Sequence, residues 1–243
     1  MSNNLSDQIA EWIETSVKEA GCKGTVLGLS GGLDSAVALA LCSKTNMKSM
    51  AVIMPCDSNP QDKTDAMELA QKLSVETLII NLAVAKDILI GNLPKSIMPM
   101  ANLKARLRMS MLYYIANCYN FLVVGTGNKS EIAIGYFTKY GDGAADILPL
   151  AHLYKSEVRI LAKELDIPEK IISKPPSAGL WEGQTDELEI GMSYEMLDKT
   201  LLAIEHQTYL RANKTALIFV KNKINRTEHK RHMPPTFLRE DQK

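Results

Sequence analysis

Little in this 243-residue sequence marks it for export, for a membrane or for nucleic acid. Its four cysteines, Cys22, Cys42, Cys56 and Cys118, are scattered, with no CxxC pair and no histidine at zinc-site spacing. That pattern argues against a disulfide framework and for reduced, mostly buried thiols in a cytoplasmic protein. Lysine plus arginine and aspartate plus glutamate both number 28, so no net charge draws the chain to nucleic acid or to an anionic surface. No apolar run is long enough to span a bilayer. The opening MSNNLSDQIAEWIE lacks the cationic-then-apolar order of a signal peptide. There is no internal repeat, low-complexity tract or clear linker, so residues 1–243 are expected to form one domain. Hydrophobic content of 46% with 23% charged residues suits an ordinary globular protein.

What stands out is TVLGLSGGLDS, residues 25–35. The apolar run Thr25–Leu29 has the character of a buried strand, and Asp34-Ser35 opens a helical pattern through Ser43. Between them, Ser30-Gly31-Gly32 lets the main chain approach a ligand closely. Backbone N–H groups, two hydroxyls and a helix N-terminus then converge on one anion site suited to phosphate. It is not the P-loop GxxxxGK[ST], because no lysine follows the second glycine. A carboxylate inside a phosphate loop repels its ligand unless a cation lies between them, so Asp34 points to Mg²⁺. The alternative is a plain strand-to-helix turn in which Asp34 or Ser35 is the N-cap.

Strand-like runs recur at 50–54, 77–81 and 121–125, with helical patterns at 34–43, 62–73, 84–92 and 102–118. This alternation predicts an α/β fold, a doubly wound, mostly parallel sheet with helices on both faces. Ligands of such folds sit beyond the C-terminal ends of the strands, so the loops after Leu29, Met54 and Val124 share one rim. Farther on, GYFTKYGDGAADILPLAHLYK (135–155) suits a shaped binding loop, and a helix is predicted from Lys155. KPPSAGLWEGQTDE (174–187) reads as a mobile lid. A helix near 193–204 and the apolar TALIFV precede the basic run 221–232, the start of an expected mobile tail to residue 243.

GTGNKSE (125–131) follows a strand on the same rim and supplies Glu131, a second carboxylate able to complete a Mg²⁺ site with Asp34. The plain alternative is a solvated glutamate on a helix. Arg106, Lys139, Lys155 and Lys230 are candidate anion ligands, against the alternative of solvated surface charges. His229 and His232 have no third ligand for zinc, and no Ser/His/Asp order or catalytic-cysteine signature emerges.

SGGLDS resembles the signature of the N-type ATP pyrophosphatases, whose fold is of the adenine nucleotide alpha hydrolase type. That signature is shared by GMP, asparagine and argininosuccinate synthetases and by several tRNA-modifying enzymes. Together with GTGNKSE, GYFTKYGDGAADILPL, LYKSEV and TEHKR, it resembles the ammonia-dependent NAD synthetase family from about Leu5 to Pro235. The resemblance implies a ligase that adenylates the nicotinate carboxylate of deamido-NAD with ATP, releases pyrophosphate, and lets ammonia displace AMP. It implies that Gly28, Leu29, Ser30, Gly31, Gly32, Leu33, Asp34 and Ser35 cradle ATP, with Thr126, Lys155 and Ser177 as further ATP contacts. Ser177 stands where the family commonly has threonine. Asp34 and Glu131 match the Mg²⁺ ligands, and Arg106, Lys139, Asp146, His229 and Lys230 match contacts to deamido-NAD. Asp142 is placed near the ammonia or acyl site. The resemblance also implies a homodimer, with the helix at 102–118 and the first helix as candidate interface. The first strand begins about 20 residues into the chain, which is expected to leave no room for a glutaminase domain, so free ammonia is the expected donor unless a separate subunit supplies it. The alternatives are an RNA-modifying or other amide-forming pyrophosphatase, and a nucleotide-binding regulatory protein without turnover.

Overall fold

Each apolar run read as a strand enters one parallel sheet in a computed structural model of the chain, which describes residues 4–177, 179, 181, 183–209, 213–237 and 239. The strands are β1 (Gly24–Gly28), β2 (Lys48–Ile53), β3 (Glu76–Ile79) and β4 (Phe121–Val123), in the order β3-β2-β1-β4. Val26 of β1 pairs with Met50 on one side and Val123 on the other. One more parallel bridge, Val124 to Ile147, extends the sheet beyond β4. The helices are α1 (Leu5–Glu19), α2 (Leu33–Ser43), α3 (Pro60–Lys72), α4 (Ala83–Ile90), α5 (Ile97–Tyr119), α6 (Lys129–Ile134) and α7 (Lys155–Glu164). After these come α8 (Glu169–Ile172), α9 (Asp186–Ile190), α10 (Tyr194–Glu205), α11 (Lys214–Arg226) and a 3₁₀ turn at Glu228–Lys230.

Side chains of a strand alternate between faces, and β1 builds two cores from that period of two. Leu27 and Leu29 pack with Ala51 and Ile53 against α2, α3, α7 and α8. Val26 packs with Met50, Val52 and Val123 against α5. Helices thus cover both faces, as the sequence predicts. A third cluster lies beyond the sheet, where Ile134, Tyr154, Ile190, Tyr194, Leu197 and Val220 draw α6, α9, α10 and α11 together.

β3 is an edge strand whose four residues are all exposed, while Ile80 just beyond it packs against the core under α5. Two elements depart from the sequence expectations. The long helix α5 begins at Ile97, not 102, because Pro99 falls in its first turn, where no N–H is needed. The expected tail boundary at Lys221 falls inside α11, whose Val220 is fully buried. The basic run that follows is used on carbonyls. Lys223 donates to Ile190 O (2.7 Å), and Lys230 donates to Gly135 O (2.8 Å) and Phe137 O (2.7 Å). These lysines satisfy the carbonyls at the C-terminal ends of α9 and α6, and Lys230 also that of Phe137 just beyond α6. Within the lid and tail read from the sequence, positions 178, 180, 182, 238 and 240–243 lie outside the described residues. Among the described residues, no helix is long and apolar enough to cross a membrane.

Candidate active site

A cavity of about 470 Å³ opens at the C-terminal rim of the sheet, floored by the ends of β1, β2 and β4. The SGGLDS loop forms one wall and is held in shape by its own serines. Ser30 N donates to Ser35 Oγ (3.2 Å), the two hydroxyls lie 3.0 Å apart, and Ser35 Oγ donates to Gly32 O (3.0 Å). Gly31 has φ +79°, and a Cβ there would come 2.3 Å from the carbonyl oxygen of Asp62, so only glycine fits. The N-cap of α2 is Gly32, which has no side chain to close it. No side-chain cap bonds the first N–H groups of α2, and neither Asp34 nor Ser35 acts as the N-cap.

Asp34 is turned to other partners. Its Oδ1 accepts from Asn128 Nδ2 (2.9 Å) and its Oδ2 from Lys155 Nζ (2.5 Å). Lys155 Nζ also donates to Glu131 Oε1 (3.1 Å). Glu131 closes the capping box of α6 with Asn128, so it is no solvated surface glutamate. Burial would favour a neutral Lys155, but Asp34 and Glu131 outweigh it and hold the amine charged, with its pKa above the usual lysine range. Burial pushes Glu131 above the usual carboxylate range, with Lys155 opposing the rise and Asp34 adding to it.

The cavity wall also carries Gly28, Leu29, Leu33, Thr126, Asp142, Ser177 and Lys230. Asp142 opens onto the cavity and accepts from the backbone N–H of Thr138 (2.9 Å). The protein packed around Asp142 pushes its carboxyl above the usual carboxylate range. The remaining sequence candidates lie off this wall. Arg106 donates to Lys139 O (3.3 Å), and Lys139 Nζ donates to His229 O (2.5 Å), so these three form a second patch. Asp146 spends its carboxylate on Val123 N (2.8 Å) and the Tyr113 hydroxyl (3.2 Å).

Sequence reasoning missed the acidic chain behind Glu131. The Tyr194 hydroxyl lies 3.0 Å from Glu131 Oε1 and 3.1 Å from Asp186 Oδ2. The Tyr136 hydroxyl lies 3.1 Å from Asp186 Oδ1 and 2.5 Å from Glu189 Oε2. Burial, chiefly, pushes Asp186 up. The signal available was the DELE run, which places Asp186 and Glu189 three residues apart on one helical face.

A parallel sheet with a glycine-bearing loop at its carboxyl rim and a lysine between two carboxylates make an α/β fold with a charged cavity, and the relatives of the chain make it an ATP-using ligase. The chain matches the protein family described as NAD synthase over residues 5–234. It is 43% identical over 236 residues to the NH(3)-dependent NAD(+) synthetase of Carboxydothermus hydrogenoformans, covering 94% of this chain and 95% of that protein. Among solved structures, it resembles the NMN synthetase from Francisella tularensis with TM-score 0.89 and 42% identity, over 96% of both chains. It also resembles the NH3-dependent NAD synthetase from Campylobacter jejuni with TM-score 0.84 and 33% identity, over 96% of this chain and 98% of that one. The chain belongs to the NAD synthase family.

Proposed function

We propose that this chain makes NAD+ from deamido-NAD, ATP and ammonia. The observation that carries the reading is the meeting of the SGGLDS cradle, Asp34, Glu131 and Lys155 at one cavity, in a chain similar over nearly its whole length to such synthetases. A carboxylate is a poor electrophile until one oxygen becomes a leaving group, and its attack on ATP brings two anions together. The first N–H groups of α2, the Ser30 hydroxyl and Lys155 would hold the phosphates and stabilise charge on departing pyrophosphate. Thr126 and Ser177 would complete the ATP contacts, and Lys230 would reach deamido-NAD from the same wall. Arg106, Lys139, Asp146 and His229 would hold the rest of the dinucleotide beyond the cavity. Asp142, beside the acyl site, would take the proton that ammonia sheds as it displaces AMP.

The donor set suits Mg²⁺, which takes one or two carboxylates and completes its shell with phosphate oxygens and water. Asp34 and Glu131 would hold it, being hard oxygen donors already close enough to share one ammonium. When bound, the ion would neutralise phosphate charge in the leaving pyrophosphate. The similarity to Francisella NMN synthetase favours one second reading, in which the acyl substrate is the mononucleotide of nicotinate.

We further propose a cytoplasmic, single-domain homodimer. The exposed apolar side chains Val84, Ile88, Leu89, Leu93, Ile97 and Met98 support an interface on α4, the segment after it and the start of α5. This face lies just before the 102–118 stretch expected from the sequence. The decisive assay incubates the protein with ATP, Mg²⁺, ammonium and either deamido-NAD or nicotinate mononucleotide, and measures the amide product and AMP. Folded protein that makes neither amide would sink the reading, and ATP consumption only with added tRNA would move it to RNA modification.

A further inference from the structure

We infer that Tyr194, with Asp198 one turn later on α10, is the positioning element that aims Glu131 and Lys155; this rests on the function proposed above. Glu131 stands on α6 and Lys155 at the first position of α7, two short helices outside the central sheet. Neither helix alone fixes where its long side chain points. α10 packs against both, and residues four apart on a helix share a face.

Tyr194 is 3% exposed. Its hydroxyl meets Glu131 Oε1 and Asp186 Oδ2, and Lys155 Nζ lies 4.8 Å from its ring centroid. It therefore touches both halves of the Lys155–Glu131 pair, one by hydrogen bond and the other by cation–π attraction. Asp198 is 4% exposed and serves the start of α7. Its Oδ2 accepts from Ser156 N (3.0 Å), and its Oδ1 accepts from Ser130 Oγ (2.5 Å), which in turn accepts from Lys155 N (3.0 Å). A buried carboxylate thus satisfies N–H groups that α7 leaves free, at the positive end of its dipole. Ser130 is the neighbour of Glu131, so the same carboxylate also steadies α6.

The need for such a fixture follows from Lys155 itself. Lys155 gives two of its three N–H groups to Asp34 and Glu131, and drawing the ammonium toward phosphate would loosen its hold on Glu131. Once it moves, Glu131 retains the Tyr194 hydroxyl and the long contact from Asn128 N (3.5 Å). Tyr194 is then the close donor that keeps the carboxylate aimed.

The test uses Tyr194→Phe, which keeps the ring, the core volume and the cation–π contact, and loses only the hydroxyl. Turnover is expected to fall roughly 10- to 100-fold, with the KM for the acyl substrate changed by less than about twofold. Mn²⁺ binding in the presence of ATP, followed by electron paramagnetic resonance, is expected to weaken by about fivefold or more. The second variant, Asp198→Asn, is expected to weaken ATP binding in EDTA by about tenfold, because Lys155 acts there without a metal. Folded variants that bind Mn²⁺ and ATP as the wild type does would overturn the inference. These binding measurements need no turnover, so they stand apart from the amidation assay. A wild type that made no amide would undo the proposed function while leaving the positioning role readable.

Discussion

Lys155 Nζ stands between Asp34 Oδ2, at 2.5 Å, and Glu131 Oε1, at 3.1 Å. The amine occupies the place where a divalent cation would neutralise the same two carboxylates. The amine offsets the repulsion between the two carboxylates, and ATP with its cation would draw the lysine toward phosphate. Lys155→Met should leave two mostly buried carboxylates facing each other and cost roughly 3 kcal/mol of stability. Thermal denaturation checks this, and added Mg²⁺ with ATP should raise the melting temperature of the variant more than that of the wild type. Equal ligand-free stability of variant and wild type would contradict the role of the amine as the resting cation.

Asp34→Asn keeps the shape of the side chain and one acceptor oxygen for Asn128 or Lys155 but removes one charged ligand. Turnover should fall by about a hundredfold or more, while the fold is retained. Steady-state rates across a Mg²⁺ titration check it. Wild-type rates at saturating Mg²⁺ would show that the carboxylate does not hold the ion.

Gly31→Ala meets two obstacles together, a positive φ and a Cβ placed 2.3 Å from the backbone of Asp62. Relief requires the loop and the start of α3 to separate. The expected cost is about 2 kcal/mol or more of stability, together with loss of most ATP binding. Chemical denaturation and calorimetric ATP titration of the same sample measure both. Undiminished ATP affinity would mean that the cradle is reshaped without consequence.

The parts legible in the sequence were those set by local pattern. The runs that became β1, β2 and β4 announced themselves by composition, and Asp34 and Glu131 by their place beside glycines. β3 reads as a strand, but its exposure is not legible, because apolar composition does not reveal which strand lies at an edge. That α11 runs on past Lys221 is not legible for a related reason. The carbonyls that Lys223 and Lys230 satisfy belong to residues 33 and 95 positions away, so charge alone looked like a solvated end. Tyr194 and Asp198 were invisible on the same ground. They occupy an ordinary amphipathic helix, and their importance arises from partners 63 and 68 positions distant.

Asp65 gives a prediction in pH. This residue of α3 is 3% exposed and accepts from Lys170 (2.9 Å), Gln61 (2.9 Å) and Lys174 (3.2 Å), joining α3 to α8 and to the start of the 174–187 segment. Burial pushes its carboxyl upward, but the bonds from Lys170, Gln61 and Lys174 together prevail and hold it at about 2, against 3.8 for a free aspartate. An acid whose folded pKa lies below its unfolded one stabilises the fold when ionised. That contribution is complete above the unfolded value and is lost as pH falls from there through about 2. It amounts to about 2 kcal/mol at most. Asp65→Asn should therefore be less stable than wild type at pH 6, and the gap should close as the pH drops from about 4 toward 2. Urea denaturation of both proteins at pH 6, 4 and 2.5 measures the gap, and a difference that stays constant across that range would rule out Asp65 as its source.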